Sequence, residues 1–414
     1  MKRIFASFAL LCISFTVMAA ALDNTHIGAK ANIMGRAFTG LADDASAVFY
    51  NPAGLAFQNE GLSLQAYGMY TRTSLWYYGP KDPPPADASP PLEADTISRS
   101  TEKVINPEVF AKYRSGKTAF GLGVYTPYGS NKYHYNYVHA VPRNIVEQTL
   151  RLTAISASFA YRLADNFSLG LSVSGYYGKY FYNGFNLFGN PGRQSHDFSG
   201  FAGAGGNLGA LFQASEALSL GLTLKAPVKI HMDGGMSLTE AGVQTQYTGN
   251  TEFTLPLYIT LGTALRTSDT LTFTLDFNYA FYSKLTDMRF GLTESISASW
   301  SAPTGYTDAV YIAVGVDGKA TAGLSIRGGI QFAPTPTTDE GLTYSCDLSR
   351  LTEGFGIAYK FAPQFELTAS FQFFQFFGTR RAVIRQPDAI FPQPYTEKYF
   401  HTGMIIMGGF NLSL

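Results

Sequence analysis

Histidines, serines and a few cations are the residues of this chain that could do chemistry, and their spacing decides what kind. His134 and His139 lie five apart in a polar stretch, a separation that puts them on no common helix or strand face for gripping a metal. His231 and His401 fall at the ends of alternating apolar runs. A membrane lipase needs a serine, a histidine and an orienting polar group held together. The residue two before His401, on the same strand face, is Tyr399, which is no such nucleophile; Ser283 near a strand end is a chance candidate. Gly121-Leu122-Gly123 lacks the rest of a phosphate-loop pattern. We therefore expect no catalytic residue, no metal and no cofactor. Ligand recognition is the better prospect. Lys225 and Arg327 stand in mid-strand on the polar face of alternating segments, with Arg266 and Lys360 nearer the strand ends. A cation so placed pairs with a carboxylate, either on an amphipathic ligand or on Asp276 or Glu366 as an internal salt bridge.

The elements that must position these groups follow from composition. The 414 residues are 46% hydrophobic and 15% aromatic but only 14% charged, against ~25% in soluble domains. Lys2-Arg3, an apolar run and the small residues Ala19-Ala20-Ala21 make residues 1–21 a secretory signal peptide, cleaved within 19–21. Cys12 lies inside that run, which leaves Cys346 without an internal disulfide partner. Taking Lys2 and Arg3 from the 30 basic residues leaves 28 against 30 acidic ones, and no basic cluster points to nucleic acid. Beyond the signal, no stretch offers the ~20 consecutive apolar residues of a membrane helix.

Strand periodicity appears instead. In residues 218–230, Leu218, Leu220, Leu222, Leu224, Val228 and Ile230 share one face, and Ser219, Gly221, Thr223, Lys225 and Lys229 share the other. Residues 271–281 repeat this with Thr272, Thr274, Asp276 and Asn278 on the polar face, and 365–377 with Glu366, Thr368, Ser370 and Gln372. Short turns at 114–117, 162–166, 213–217, 266–270, 316–320 and 361–365 alternate with long polar segments near 79–100, 127–147, 183–197, 232–249, 287–305, 334–349 and 378–397. Six turns and seven loops join fourteen strands. An even strand count with short turns at one end and long loops at the other predicts an all-β transmembrane antiparallel β-barrel over 61–414, apolar face outward. Aromatic clusters such as Tyr176-Tyr177 and Tyr180-Phe181-Tyr182 are expected to form interface girdles.

A barrel that wide is a water-filled pore unless something fills it. Residues 22–60 are the candidate filler, and within them Asn51-Pro52-Ala53-Gly54 is a turn signal ahead of the first strand. Residues 28–56, GAKANIMGRAFTGLADDASAVFYNPAGLA, resemble the N-terminal hatch of the outer-membrane long-chain fatty acid and hydrocarbon transporter family (FadL-type), with Asn51, Pro52 and Ala53 at its NPA position. TAFGLGVYTPYG at 118–129 and LPLYITLGTALR at 255–266 add to the likeness.

The resemblance implies passive uptake of hydrophobic small molecules. Cargo is captured in an outer groove, passed to an inner pocket near the mature N-terminus (Leu22, Asp23, Asn24) and released sideways at a kink in the third strand, here Gly121, Gly123 and Pro127. Loop candidates for the groove are Tyr128, Phe185, Leu187 and Phe188. The expected partners are a hydrophobic small molecule and the lipid and lipopolysaccharide of a bacterial outer membrane, met by a monomer. A general porin and an outer-membrane lipase are the alternatives.

Overall fold

The computed structural model describes residues 26–79, 96–129, 132–137, 144–185, 192–240, 242–284, 288–292, 298–302, 306–336, 349–377, 383–385 and 395–414. The signal segment and Leu22, Asp23 and Asn24 lie outside them. Strand β1 (Gly61–Gly79) pairs antiparallel with β2 (Thr96–Ser115) along its whole length. It also pairs with the last strand, β20 (Tyr395–Ser413), from Ser63 against Ser413 to Tyr78 against Lys398, which closes the sheet on itself. Between them run β3 (Thr118–Tyr128), β4 (Lys132–Tyr137), β5 (Asn144–Ala164), β6 (Phe167–Phe185), β7 (Gly192–Gln213), β8 (Leu218–Lys225), β9 (Val228–Glu240), β10 (Val243–Leu255) and β11 (Tyr258–Ser268). The circuit continues through β12 (Leu271–Ala280), β13 (Met288–Leu292), β14 (Ala298–Ala302), β15 (Ala309–Lys319), β16 (Leu324–Ala333), β17 (Ser349–Ala362), β18 (Phe365–Phe377) and β19 (Val383–Arg385). Several crossings are interrupted, so the twenty segments make a closed barrel of fourteen antiparallel strands.

The alternation is that of a membrane wall. Leu220, Leu222 and Leu224 face outward, while Ser219 and Thr223 on the alternate face are buried. One interruption, one paired segment and one shifted turn correct the sequence reading. Ala226-Pro227 separates β8 from β9, because proline cannot donate to the ladder. The step flips the parity, so Val228 and Ile230 are buried in the lumen and Lys229 points out, opposite to the faces expected for them. Residues 232–249, expected as a long loop, are instead the paired ends of β9 and β10, which meet at Glu240 and Val243. The turn expected at 316–320 falls at 320–323, after β15. Neighbouring aromatics also divide. Tyr177 faces outward as a girdle residue does, but Tyr176, Tyr180 and Tyr182 are buried in the lumen.

Inside the barrel sit two short helices, α1 (Ala29–Ile33) and α2 (Ala47–Tyr50), and a 3-10 helix (Pro52–Phe57). Helices this short are not stable alone, and their order comes from the wall around them. Residues 26–58 are buried almost throughout, with Asp43 the exposed exception. The fit needs glycine in the wall at the closest approaches. A Cβ at Gly209 on β7 would meet the Asn51 side chain, lie 2.9 Å from Pro52 Cδ and lie 3.2 Å from the Ala53 nitrogen. Gly209→Val should therefore cost hatch docking about 1–3 kcal/mol. The expected result is a several-fold rise in single-channel conductance in planar bilayers, with the barrel still resisting unfolding by SDS.

Candidate functional site

The hatch has little regular structure of its own, so its backbone groups must find partners in the wall. The carboxylate of Asp276 on β12 accepts from the Phe38 and Thr39 nitrogens at 3.0 and 2.9 Å. Glu108 on β2 accepts from the Gly28 nitrogen at 2.9 Å. Ser168 donates to the Ala53 carbonyl at 2.9 Å, Ser172 to that of Val48 at 2.8 Å and Asn207 to that of Phe49 at 3.0 Å. Ser219 and Gln372 donate to the carbonyls of Gly40 and Asn32.

Asn51 ties the motif together. Its Oδ1 accepts from the Ala53 nitrogen at 3.2 Å, capping the 3-10 helix, and its Nδ2 donates to Thr39 and to the wall carbonyl of Ala210 at 2.9 and 3.0 Å. Pro52 follows at the first helical position, where no N–H is needed.

The third crossing is irregular. The β2–β3 ladder runs from Ser115 against Thr118 to Val109 against Val124 and ends there. On its other side β3 pairs with β5, but Tyr125 opposes Ala154 and Tyr128 opposes Leu152, so Thr126 and Pro127 stand against Thr153 alone in a bulge. Thr126, Pro127 and Tyr128 are buried. Of the kink residues expected from sequence, Pro127 lies in the bulge. Gly121 and Gly123 lie below it in the paired region, where Gly121 faces the hatch side chains Val48 and Leu55.

A cavity of about 40 Å³ adjoins this segment on the outer side of the hatch. Phe49, Tyr50, Tyr128, Tyr258 and Tyr311 give it aromatic walls, and Lys225 and Arg36 bring charge to it. Lys225 Nζ rests 3.3 Å from the centre of the Phe49 ring, a cation–π contact, and Tyr125 meets Phe49 edge-on at 5.4 Å. The structure thus brings together Lys225 and Tyr128, which the sequence reading proposed separately.

Arg327 sits elsewhere. It lies in a polar vestibule of about 780 Å³ on the short-turn side, bonded to Asp317 at 3.1 Å and within 3.6 Å of Glu366. Asp317 also holds Lys30 of the hatch at 2.7 Å, and Lys30 holds Asp43 at 2.8 Å. These partners make Arg327 part of a clasp between wall and hatch. Of the two internal partners offered in the sequence reading, Glu366 lies beside Arg327, whereas Asp276 binds hatch backbone.

Residues 10–406 match the family of outer membrane protein transport proteins (OMPP1/FadL/TodX). The chain belongs to this family. Among solved structures, a FadL homologue of Pseudomonas aeruginosa superposes with a TM-score of 0.74 at 16% identity, covering 96% of this chain and 99% of that one. The toluene transporter TbuX of Ralstonia pickettii does so with 0.71 at 17% identity, covering 96% and 100%. Outer membrane protein P1 of Haemophilus influenzae is 25% identical over 173 residues, 41% of this chain and 38% of that protein. Membership places the chain in the outer membrane and among transporters rather than enzymes.

Other sequence candidates of this FadL/TodX-family chain fall as follows. Phe185 ends β6, and Leu187, Phe188, His139 and Cys346 lie outside the described residues. The Ser283 nitrogen donates to Asp308 at 2.9 Å, and no cluster of three or more metal-ligating side chains occurs among the described residues. The wall groups Ser168, Ser172, Asn207 and Asp276 escaped sequence reasoning as hatch partners. Of these only Asp276 was placed on a polar face by its periodicity, and nothing local says what it meets.

One hatch group gives the docking a pH dependence. Burial, and then the charge of Asp43, push the Asp44 carboxyl up to about 6, against hydrogen bonds from the Ser46 nitrogen and hydroxyl at 2.8 and 2.6 Å. In a displaced hatch the same carboxyl titrates near its ordinary 3.8. Between those values the docked state holds more protons, so docking weakens as pH rises from about 4 to about 6 and is level above. The loss should be roughly 1–2 kcal/mol after screening. Conductance measured from pH 4 to 7 should rise over this window in the native chain and stay flat in Asp44→Asn.

Proposed function

We propose that this chain takes up hydrophobic small molecules, long-chain fatty acids or hydrocarbons, passively across the outer membrane. Cargo binds beside the hatch and leaves sideways into the bilayer. The observation that carries the reading is that Tyr128 belongs both to the wall of the aromatic cavity and to the strand segment where pairing lapses. A molecule seated there borders both the pocket and the seam, and need not cross the hatch or meet the periplasm. Each methylene kept out of water on that path is worth ~0.8 kcal/mol, which makes an apolar exit into lipid nearly level in energy. At ~10–15 Å³ per water, the cavity of about 40 Å³ has room for roughly three waters. Seating an alkyl chain or an aromatic ring therefore requires Phe49 or Tyr128 to swing aside.

On this reading residues 22–60 are the hatch and 61–414 the barrel, working as a monomer. Leu22, Asp23 and Asn24 would approach the pocket, and Gly121 and Gly123 would let the hatch lie close beneath the seam. Two cargo classes suit the pocket. Lys225 supplies a cation for a carboxylate head, and the aromatic walls suit a flat neutral ring, as the toluene transporters among the similar structures would require.

Lys225→Ala should weaken binding of a fatty acid about ten-fold in a fluorescent-analogue titration while leaving a neutral hydrocarbon unchanged. Equal losses would refute a head-group role. The lateral route has its own test. Deleting Thr126 and replacing Pro127 by valine restores one-to-one pairing of β3 with β5. Uptake of labelled cargo into vesicles should then fall at least five-fold, with heat-modifiable migration of the barrel retained; unchanged uptake would exclude exit at this seam.

A further inference from the structure

The outer surface of the barrel carries cations that face one another. Arg72 on β1 stands directly opposite Lys103 on β2, and Arg151 on β5 directly opposite Lys179 on β6. All four lie on the outward parity of their strands. Arg72, Lys103 and Lys179 are exposed, and Arg151 is half-buried with its Nε lacking a partner among the described residues. Like charges directly opposite on neighbouring strands are destabilising. Among the described residues no acid forms an ion pair with any of the four; exposed Asp197, diagonal to Lys179 across β6 and β7, forms none.

The opposite wall handles charge in the usual way. There Lys229 pairs with Glu252 at 3.2 Å, and His231 with Glu252 and Asp233 at 2.8 and 3.1 Å.

Height on the barrel narrows the missing partner. Each of the four lies about eleven to thirteen residues above its short turn, or ~28–33 Å along the axis at a rise of ~3.3 Å and a tilt of ~40°. The apolar band of such barrels is ~25 Å tall. One step below on the same face, Ile105 and Tyr177 are exposed and apolar or aromatic, and below Arg151 the half-buried Thr153 is followed by exposed Ile155, as at the edge of that band. The cations therefore stand at the head-group level of the outer leaflet. They also flank the irregular crossing, since β3 lies between β2 and β5. With strands ~4.8 Å apart, the two pairs are separated by roughly 10 Å across the sheet.

We propose that Arg72, Lys103, Arg151 and Lys179 form a binding site for the phosphate groups of outer-leaflet lipopolysaccharide. One doubly phosphorylated glycolipid head spans the top of the seam. Each phosphate sits between two cations and replaces their repulsion with charge-assisted hydrogen bonds. The site is outside the lumen, so it stands or falls independently of cargo binding.

The test uses the full barrel in detergent with bisphosphorylated lipid A, dephosphorylated lipid A or inorganic phosphate as probe. Thermal unfolding and native mass spectrometry are the readouts. Lipid A should raise the unfolding midpoint and remain bound in the gas phase. Dephosphorylated lipid A and inorganic phosphate should do neither. Combining Arg72→Gln, Lys103→Gln, Arg151→Gln and Lys179→Gln should weaken lipid A binding at least ten-fold, while Lys229→Gln binds as the native chain does. Without lipid A, the quadruple variant should unfold at a higher temperature than the native barrel, because the repulsion is gone. If that variant does not assemble, the two double variants, one per pair, should each lose part of the binding. Undiminished binding by the variants, or equal binding of the dephosphorylated lipid or of inorganic phosphate, would overturn the site.

Discussion

The structure depends on satisfying the backbone of a segment that cannot satisfy itself. Two helices of five and four residues, one 3-10 helix and the turns between them leave many hatch N–H and C=O groups without a partner in their own segment. Each one buried unpaired would cost about 1–3 kcal/mol. The inward serines, asparagines and acids of the wall answer that need. Asp276 takes two N–H groups; Ser168, Ser172 and Asn207 supply donors to three carbonyls. The polar face of this barrel is therefore a mould for the hatch as well as a pore lining. In the same way the glycine at 209 is a place where the wall yields room to hatch backbone.

The seam obeys the same accounting from the other side. A strand that stops pairing within a membrane leaves donors and acceptors exposed to a medium with no water. Here the lapse falls where the liability is smallest. Pro127 on β3 and Pro107 on β2 have no N–H to leave stranded, and Thr126 sets its hydroxyl 3.3 Å from that of Thr153. The segment is backed by the hatch and its aromatic contacts, Phe49 on Tyr125 and Tyr125 stacked on Phe110 at 5.5 Å. An interruption so placed is tolerated because protein, rather than lipid tails, covers its inner side.

Much of this was legible beforehand because a membrane wall writes a period of two into the chain. The closed antiparallel barrel, most of the short turns and the buried NPA turn all follow from local pattern. What failed was parity carried across an interruption. Pro227 was visible, but the alternation was read through it, which placed Val228 and Ile230 on lipid when they line the lumen. The glycines and polar residues of 232–249 looked like a loop, yet extended pairing above the membrane accepts them. Partners of single charges were the least legible. Arg327 and Lys225 have the same local signature. One is taken up by Asp317 and Glu366 and the other rests on Phe49, a difference that exists only once distant strands are assembled.

The distribution of hatch anchors bears on how such a gate opens. Away from the seam, β7, β8 and β12 each hold hatch backbone through a buried side chain. Nearer the short turns, Lys112 and Arg114 grip the carbonyls of Asn59 and Gln58, both at 2.6 Å. Where β2 borders the seam, the contact is Glu108 to the Gly28 nitrogen, at the very start of α1. A hatch fixed on three sides and tethered through its leading residues on the fourth need not leave the barrel to admit cargo. Displacing residues 26–28 breaks the bond to Glu108 while the Asn51 stitch to Thr39 and Ala210 stays intact. Loss of that one buried hydrogen bond costs ~1–3 kcal/mol, within reach of what a few buried methylenes return at ~0.8 kcal/mol each. On the function proposed above, this balance would let cargo binding alone drive opening, without an external energy source.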